Sequence, residues 1–180
     1  MEKKRSLKII TALCLVVMGI AFRTIWHPGD NIEFVTTAAF LAGAYLGWRW
    51  SIFVPLTIMV ITDLIIGNTN IFVFTWSAYI MIGIFGFLGL NNQKSKIIRA
   101  TGIGIAASAW FYIWTNFGVW MMDSWGMYPK TVTGLLQAYF FGLPFLKLNL
   151  LGNIFFVPLS FFIVEKAKNL NIGFFKKLAI

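Results

Sequence analysis

The sequence predicts an all-α fold: a polytopic membrane protein built as a six-helix transmembrane bundle, with both termini cytoplasmic. Three observations lead there. Of its 180 residues, 59% are hydrophobic and 12% charged, against about 25% charged in a soluble domain, so a water-soluble globule hardly fits. Cut at every charged residue, the chain leaves seven charge-free stretches of 13 or more residues, at 9–22, 34–48, 50–62, 64–93, 100–122, 131–146 and 148–164. They are continuously apolar rather than alternating, which selects helices over a barrel, because lipid offers no water to backbone amides. Finally, the basic residues are sorted: 12 lie in the connections and ends that would face the cytoplasm, and three (Arg23, Lys130 and Lys147) on the other side. That is the asymmetry of the positive-inside rule.

The elements follow in order, each held to the 17–25 residues or so that a crossing needs. The first helix is placed at about 7–26, and Lys3, Lys4, Arg5 and Lys8 precede its apolar run. Its apolar core is long, and Phe22-Arg23-Thr24-Ile25-Trp26 offers no small-residue cleavage pattern, so it reads as a retained helix rather than a signal peptide. Helix two, about 33–48, turns a tight corner at Trp48-Arg49-Trp50 into helix three, about 50–67. The turn formers Gly67-Asn68-Thr69-Asn70 separate it from helix four, about 71–90. Helix five covers about 97–120 and helix six about 145–166, with a short outer helix at about 131–143 between them. All belong to one transmembrane domain, 1–180, lodged in the inner (cytoplasmic) membrane. Small residues four apart, Ala39/Gly43/Gly47 on helix two and Gly102/Ala106 and Gly104/Ser108 on helix five, predict close helix packing.

The net charge of +9 raises the question of nucleic acid. Its placement answers it: Lys94, Lys96 and Arg99 fill one connection and Lys166, Lys168, Lys176 and Lys177 the tail, so these are topology determinants rather than a phosphate-binding face. No nucleic acid partner is expected. Cys14 is the only cysteine and His27 the only histidine, which puts an ordinary zinc site or thiolate cluster out of reach. Neither metal nor cofactor is expected.

Apart from lysine and arginine, nearly all polar residues gather at the outer side: Trp26, His27, Asp30, Asn31 and Glu33; Asp63 and Asn68; Thr75, Trp76 and Tyr79; Trp114, Thr115, Asn116 and Trp120; Asp123, Trp125 and Tyr128; Lys147, Asn149 and Asn153. Asp63 lies deep enough that its ionised burial would cost about 2.5–3.5 kcal/mol. It needs a partner, a cavity or a shallow position, and an interfacial capping role and a ligand-facing role both stay open. Asn149 and Asn153 share a face of helix six, where amides can bind a ligand or bridge to another helix. Trp26, Trp48, Trp50 and Trp125 suit an interfacial aromatic belt. Trp76, Trp114 and Trp120, beside Thr75 and Asn116, suit either that belt or the stacking wall of a pocket for a planar heterocycle. A lone histidine such as His27 is more often solvated than metal-bound. No enzyme is expected, since the outer acids Asp30, Glu33, Asp63 and Asp123 are scattered and no nucleophile stands with a base. No phosphate-binding GxxxxGK[ST] loop occurs either.

One pattern spans the chain. It comprises Asn31-Ile32-Glu33-Phe34, Ala42-Gly43-Ala44-Tyr45-Leu46-Gly47-Trp48, Thr62-Asp63-Leu64-Ile65-Ile66-Gly67, Phe74-Thr75-Trp76 and Tyr79-Ile80-Met81-Ile82-Gly83. It continues in Thr115-Asn116-Phe117-Gly118-Val119-Trp120, Tyr128-Pro129-Lys130-Thr131 with Gly134-Leu135, and Pro144-Phe145 to Gly152-Asn153. Over about residues 7–166 it resembles the membrane-embedded substrate-binding (S) components of energy-coupling-factor vitamin transporters, and looks closest to an uncharacterised family of S-component-like transport proteins. The resemblance implies a six-helix bundle with an outward-facing pocket for a vitamin or related heterocycle. It further implies docking on a transmembrane coupling subunit driven by two cytoplasmic ATPases. Carried over, the family's pocket positions are Glu33, Asp63, Trp76, Asn116, Trp120, Asn149 and Asn153, and Trp114 joins the stacking residues. The small-residue AxxxA pattern by which such proteins meet the coupling subunit is absent, since Ala12 is followed four residues on by Val16. A solitary transporter without an ATPase module is thus one alternative, beside a polytopic membrane enzyme and a structural membrane subunit.

Overall fold

The computed structural model describes residues 2–26, 31–67, 70–91, 93, 96–123 and 126–170, with the backbone alone for Lys3 and Lys4. His27, Asp30, Asn68, Lys94, Trp125, Lys176 and Lys177 lie outside the described residues. The described residues form six helices: α1 (Glu2–Thr24), α2 (Val35–Tyr45), α3 (Trp48–Ile66), α4 (Phe72–Leu90), α5 (Lys96–Met122) and α6 (Val132–Asn169). All but α2 are long and apolar enough to cross a membrane, which is the make-up of a multi-pass α-helical membrane protein.

Helix α2 is the axis of the bundle. Its 11 residues span about 16 Å at 1.5 Å per residue, too short to cross the hydrocarbon alone. Phe34–Ala42 are all buried, and α2 packs against α1, α3, α4, α5 and α6. It is shorter than the expected 33–48. Irregular backbone precedes it, with Asn31 at φ 61°, and Gly47, at φ 111°, ends it in a left-handed conformation that turns the corner into α3. Gly47 therefore marks that corner instead of extending the small-residue stripe. Ala39 and Gly43 do pack as expected: Gly43 lies against the backbone of Phe87 on α4, with no room for a larger side chain. On α5, Gly104 and Ser108 face Asn153 and Val157 of α6, whereas Gly102 and Ala106 point outward.

The larger departure concerns α6. The expected short helix at 131–143 and helix at 145–166 form one helix of 38 residues, with Pro144 inside it. A proline removes one backbone bond and crowds the preceding turn, but in an apolar bundle neighbouring helices absorb the defect. Thr131 starts the helix as an ordinary N-cap, its side chain accepting from the Gly134 amide at 3.2 Å.

Candidate functional site: a cavity between α5 and α6

Two stripes of side chains face one another. Ser108, Phe111, Tyr112, Thr115, Asn116 and Val119 follow the three-and-four spacing of one helical face on α5, and Ala138, Phe141, Gly142, Phe145, Leu146 and Asn149 follow it on α6. Between them opens a cavity of about 330 Å³, closed on its other sides by Arg23, Asn31, Glu33, Met59, Ile71, Thr75 and Tyr128. That volume lies at the small end of the range, about 300–1,000 Å³, that holds small molecules. The walls combine aromatic rings with amides and hydroxyls, so a planar polar molecule would find both stacking surface and edge partners.

One side of the cavity is charged. Arg23 donates from Nε to Glu33 Oε1 at 3.0 Å and from Nη1 to Asp63 Oδ1 at 2.9 Å and Thr62 Oγ1 at 2.7 Å. The network continues into α4, where Trp76 Nε1 donates to Asp63 Oδ2 at 2.7 Å and the Tyr79 hydroxyl to Glu33 Oε2 at 3.1 Å. One guanidinium thus ties the end of α1 to the start of α2, to α3 and, through its two carboxylates, to α4. Buried charges survive in a low-dielectric setting when they are paired and hydrogen-bonded in this manner.

Of the sequence-predicted residues, Glu33, Asn116 and Asn149 line the cavity together. Asn116 donates to the Tyr112 carbonyl at 2.8 Å, which leaves its Oδ1 beside Gly142, where a methyl group would collide with it. Asn149 donates to the Asn31 carbonyl at 3.3 Å and accepts from Asn153 at 3.1 Å. Asn153 itself is buried outside the lining and bridges to Ser108 Oγ of α5 at 2.8 Å. Asp63 stands behind Arg23, and Trp76 behind Asp63.

The other tryptophans also stand apart from the cavity. Trp114 stacks on Trp110 at 5.5 Å and donates to Ser77 Oγ of α4 at 2.8 Å. Trp120 donates to the Pro129 carbonyl at 3.0 Å, while Lys130 donates to the Trp120 carbonyl, so this residue ties the end of α5 to the start of α6. The aromatic wall is instead Phe111, Tyr112, Tyr128, Phe141 and Phe145. Sequence reasoning passed over four of these and counted Arg23 only as a topology charge. The signal was there in two forms: the periodic stripe through Thr115 and Asn116, and one cation at the depth of two acids.

A family model matches residues 3–172, nearly the whole chain. The chain belongs to DUF6580, a family of unknown function. No curated protein and no solved structure matches it. For this DUF6580 chain, function has to be argued from the cavity itself.

Proposed function

We propose that the chain is a membrane-embedded substrate-binding and uptake protein, which captures a small water-soluble compound of the vitamin or heterocycle class from the outer side of the cytoplasmic membrane. The observation that carries this reading is the cavity of about 330 Å³, in which Arg23, Glu33, Asn31, Asn116 and Asn149 converge against five aromatic rings. An intramembrane ionisable group that faces a cavity marks a substrate or ion path. Among the described residues, one guanidinium stands against the two carboxylates of Glu33 and Asp63, a formal excess of one negative charge. A neutral or cationic ligand is therefore favoured over a carboxylate. Both acids are held by Arg23 rather than set apart as an acid and a base, which supports binding over catalysis.

The resemblance to S components supports the same class. One observation favours the solitary form. Ala12 and Gly19 are buried, and Gly19 packs against Ile58 of α3, so the alanine and glycine at the middle of α1 are used inside the bundle. That leaves α1 without a small-residue face for a coupling subunit with two ATPases.

The test is native mass spectrometry of protein extracted gently from its own membranes. A bound small molecule of defined mass, lost in Asn149→Ala, is the expected result, with co-purifying ATPase subunits deciding the coupled form. An empty cavity with a stoichiometric membrane partner would instead favour a structural subunit.

A further inference from the structure

At the end of the bundle opposite the cavity, α5 and α6 each bring a lysine to the Tyr45 ring at the end of α2, and a lysine of α1 reaches the next residue. Lys96 opens α5 and holds its ammonium 4.5 Å from the ring centroid of Tyr45, at the end of α2. Lys168, near the end of α6, holds its own 5.1 Å from the same centroid. Lys8 of α1 donates to the Leu46 carbonyl at 2.9 Å, one residue further along. Among the described residues the one carboxylate in this group is Glu165, which accepts from the Tyr45 hydroxyl at 2.5 Å and from Lys168 at 3.2 Å.

The ammonium groups of Lys96 and Lys168 therefore share one carboxylate, an excess of one positive charge, while Lys8 is spent on the Leu46 carbonyl. Lys168 and Lys8 have oxygen partners, whereas Lys96 is half-buried and has no hydrogen-bond acceptor among the described residues. An ammonium has three donors to satisfy, and a neighbouring like charge raises the cost of leaving them bare. An anion with several acceptor oxygens would relieve both. Apolar surface adjoins the cluster, since Phe162 is exposed on the same face of α6 three residues before Glu165.

We infer that Lys96 and Lys168 beside Tyr45 form a site for the phosphate of an anionic phospholipid, whose acyl chains lie along Phe162. Basic clefts between membrane helices hold such headgroups by charge and hydrogen bonding together. The site is independent of the cavity and of any ligand bound there.

The experiment is native mass spectrometry of the full chain in micelles doped equally with phosphatidylglycerol or phosphatidylcholine, and in parallel with inorganic phosphate. Phosphatidylglycerol is expected to be retained preferentially, and retention to fall about fivefold in Lys96→Gln and further in Lys96→Gln/Lys168→Gln. Lys166→Ala, at an exposed lysine nearby, and Lys96→Arg are expected to behave as the unaltered chain. Lys96→Gln removes no hydrogen bond among the described residues but does remove the contact with the Tyr45 ring, so its unfolding temperature is measured alongside, and Lys96→Arg keeps both charge and ring contact. Displacement of the lipid by millimolar inorganic phosphate would support the site with free phosphate as a second source, and failure to displace would support the lipid alone. Equal retention of the two lipids, or undiminished phosphatidylglycerol in the double variant, would overturn the inference.

Discussion

Arg23 and Asp63, 40 residues apart, meet with 2.9 Å between Nη1 and Oδ1, and the same guanidinium holds Glu33 at 3.0 Å. Removing the cation takes from two buried carboxylates the counter-charge that Arg23 supplies. Arg23→Met should therefore cost about 3–5 kcal/mol, the ordinary penalty for breaking a buried pair from one side. The triple change Arg23→Met/Glu33→Gln/Asp63→Asn should recover much of that, because it removes all three charges. Thermal unfolding in detergent reads both. A triple variant as unstable as the single one would mean that charge balance is not what the network supplies.

Asn149 and Asn153 stand one turn apart on α6 but have different surroundings. Asn153 is buried and spans to Ser108, so Asn153→Ala is expected to lower stability by about 1–3 kcal/mol. Asn149 lines the cavity, and Asn149→Ala is expected to weaken ligand retention with a smaller change in unfolding temperature. Measuring both properties on both variants separates the roles. Equal profiles would refute the division.

This pair also marks how far the sequence could be read. A shared helical face is visible in the spacing, but which amide meets a neighbour depends on where α5 crosses α6, and that is set by packing at Gly104 and Val157. The helices themselves were largely legible, because long apolar runs have few alternatives in lipid. Pro144 was not, since tolerance of a proline depends on neighbouring helices. Arg23 looked like a topology charge because its partners, Glu33, Thr62 and Asp63, lie on other segments. Tryptophan drew attention as a stacking residue, whereas Trp76, Trp114 and Trp120 each spend the indole N–H on a protein acceptor.

Those indole bonds imply a contrast between aromatic residues. Tyr128→Ala and Phe141→Ala remove rings from the cavity wall and should reduce ligand retention by tenfold or so, about 1.4 kcal/mol each. Trp114→Phe keeps a ring on α5 but loses the bond to Ser77, so stability should fall by about 1 kcal/mol with retention nearly unchanged. If Trp114→Phe abolished retention and Tyr128→Ala did not, the cavity would be the wrong place to look.

Gly142 offers the sharpest test of the cavity as a binding site. Its missing side chain is what lets the Asn116 amide lie against α6, and a Cβ added there would overlap Oδ1 and the amide carbon. In Gly142→Ala the Asn116 side chain must rotate away from α6, at a repacking cost of about 1–3 kcal/mol. The larger Gly142→Leu would place a branched side chain directly in the cavity. Both should lose ligand retention and uptake, Leu more completely. Asn116→Ala/Gly142→Ala relieves the collision and should regain stability without regaining the ligand. Uptake that persists in Gly142→Leu at normal expression would mean that the substrate passes elsewhere.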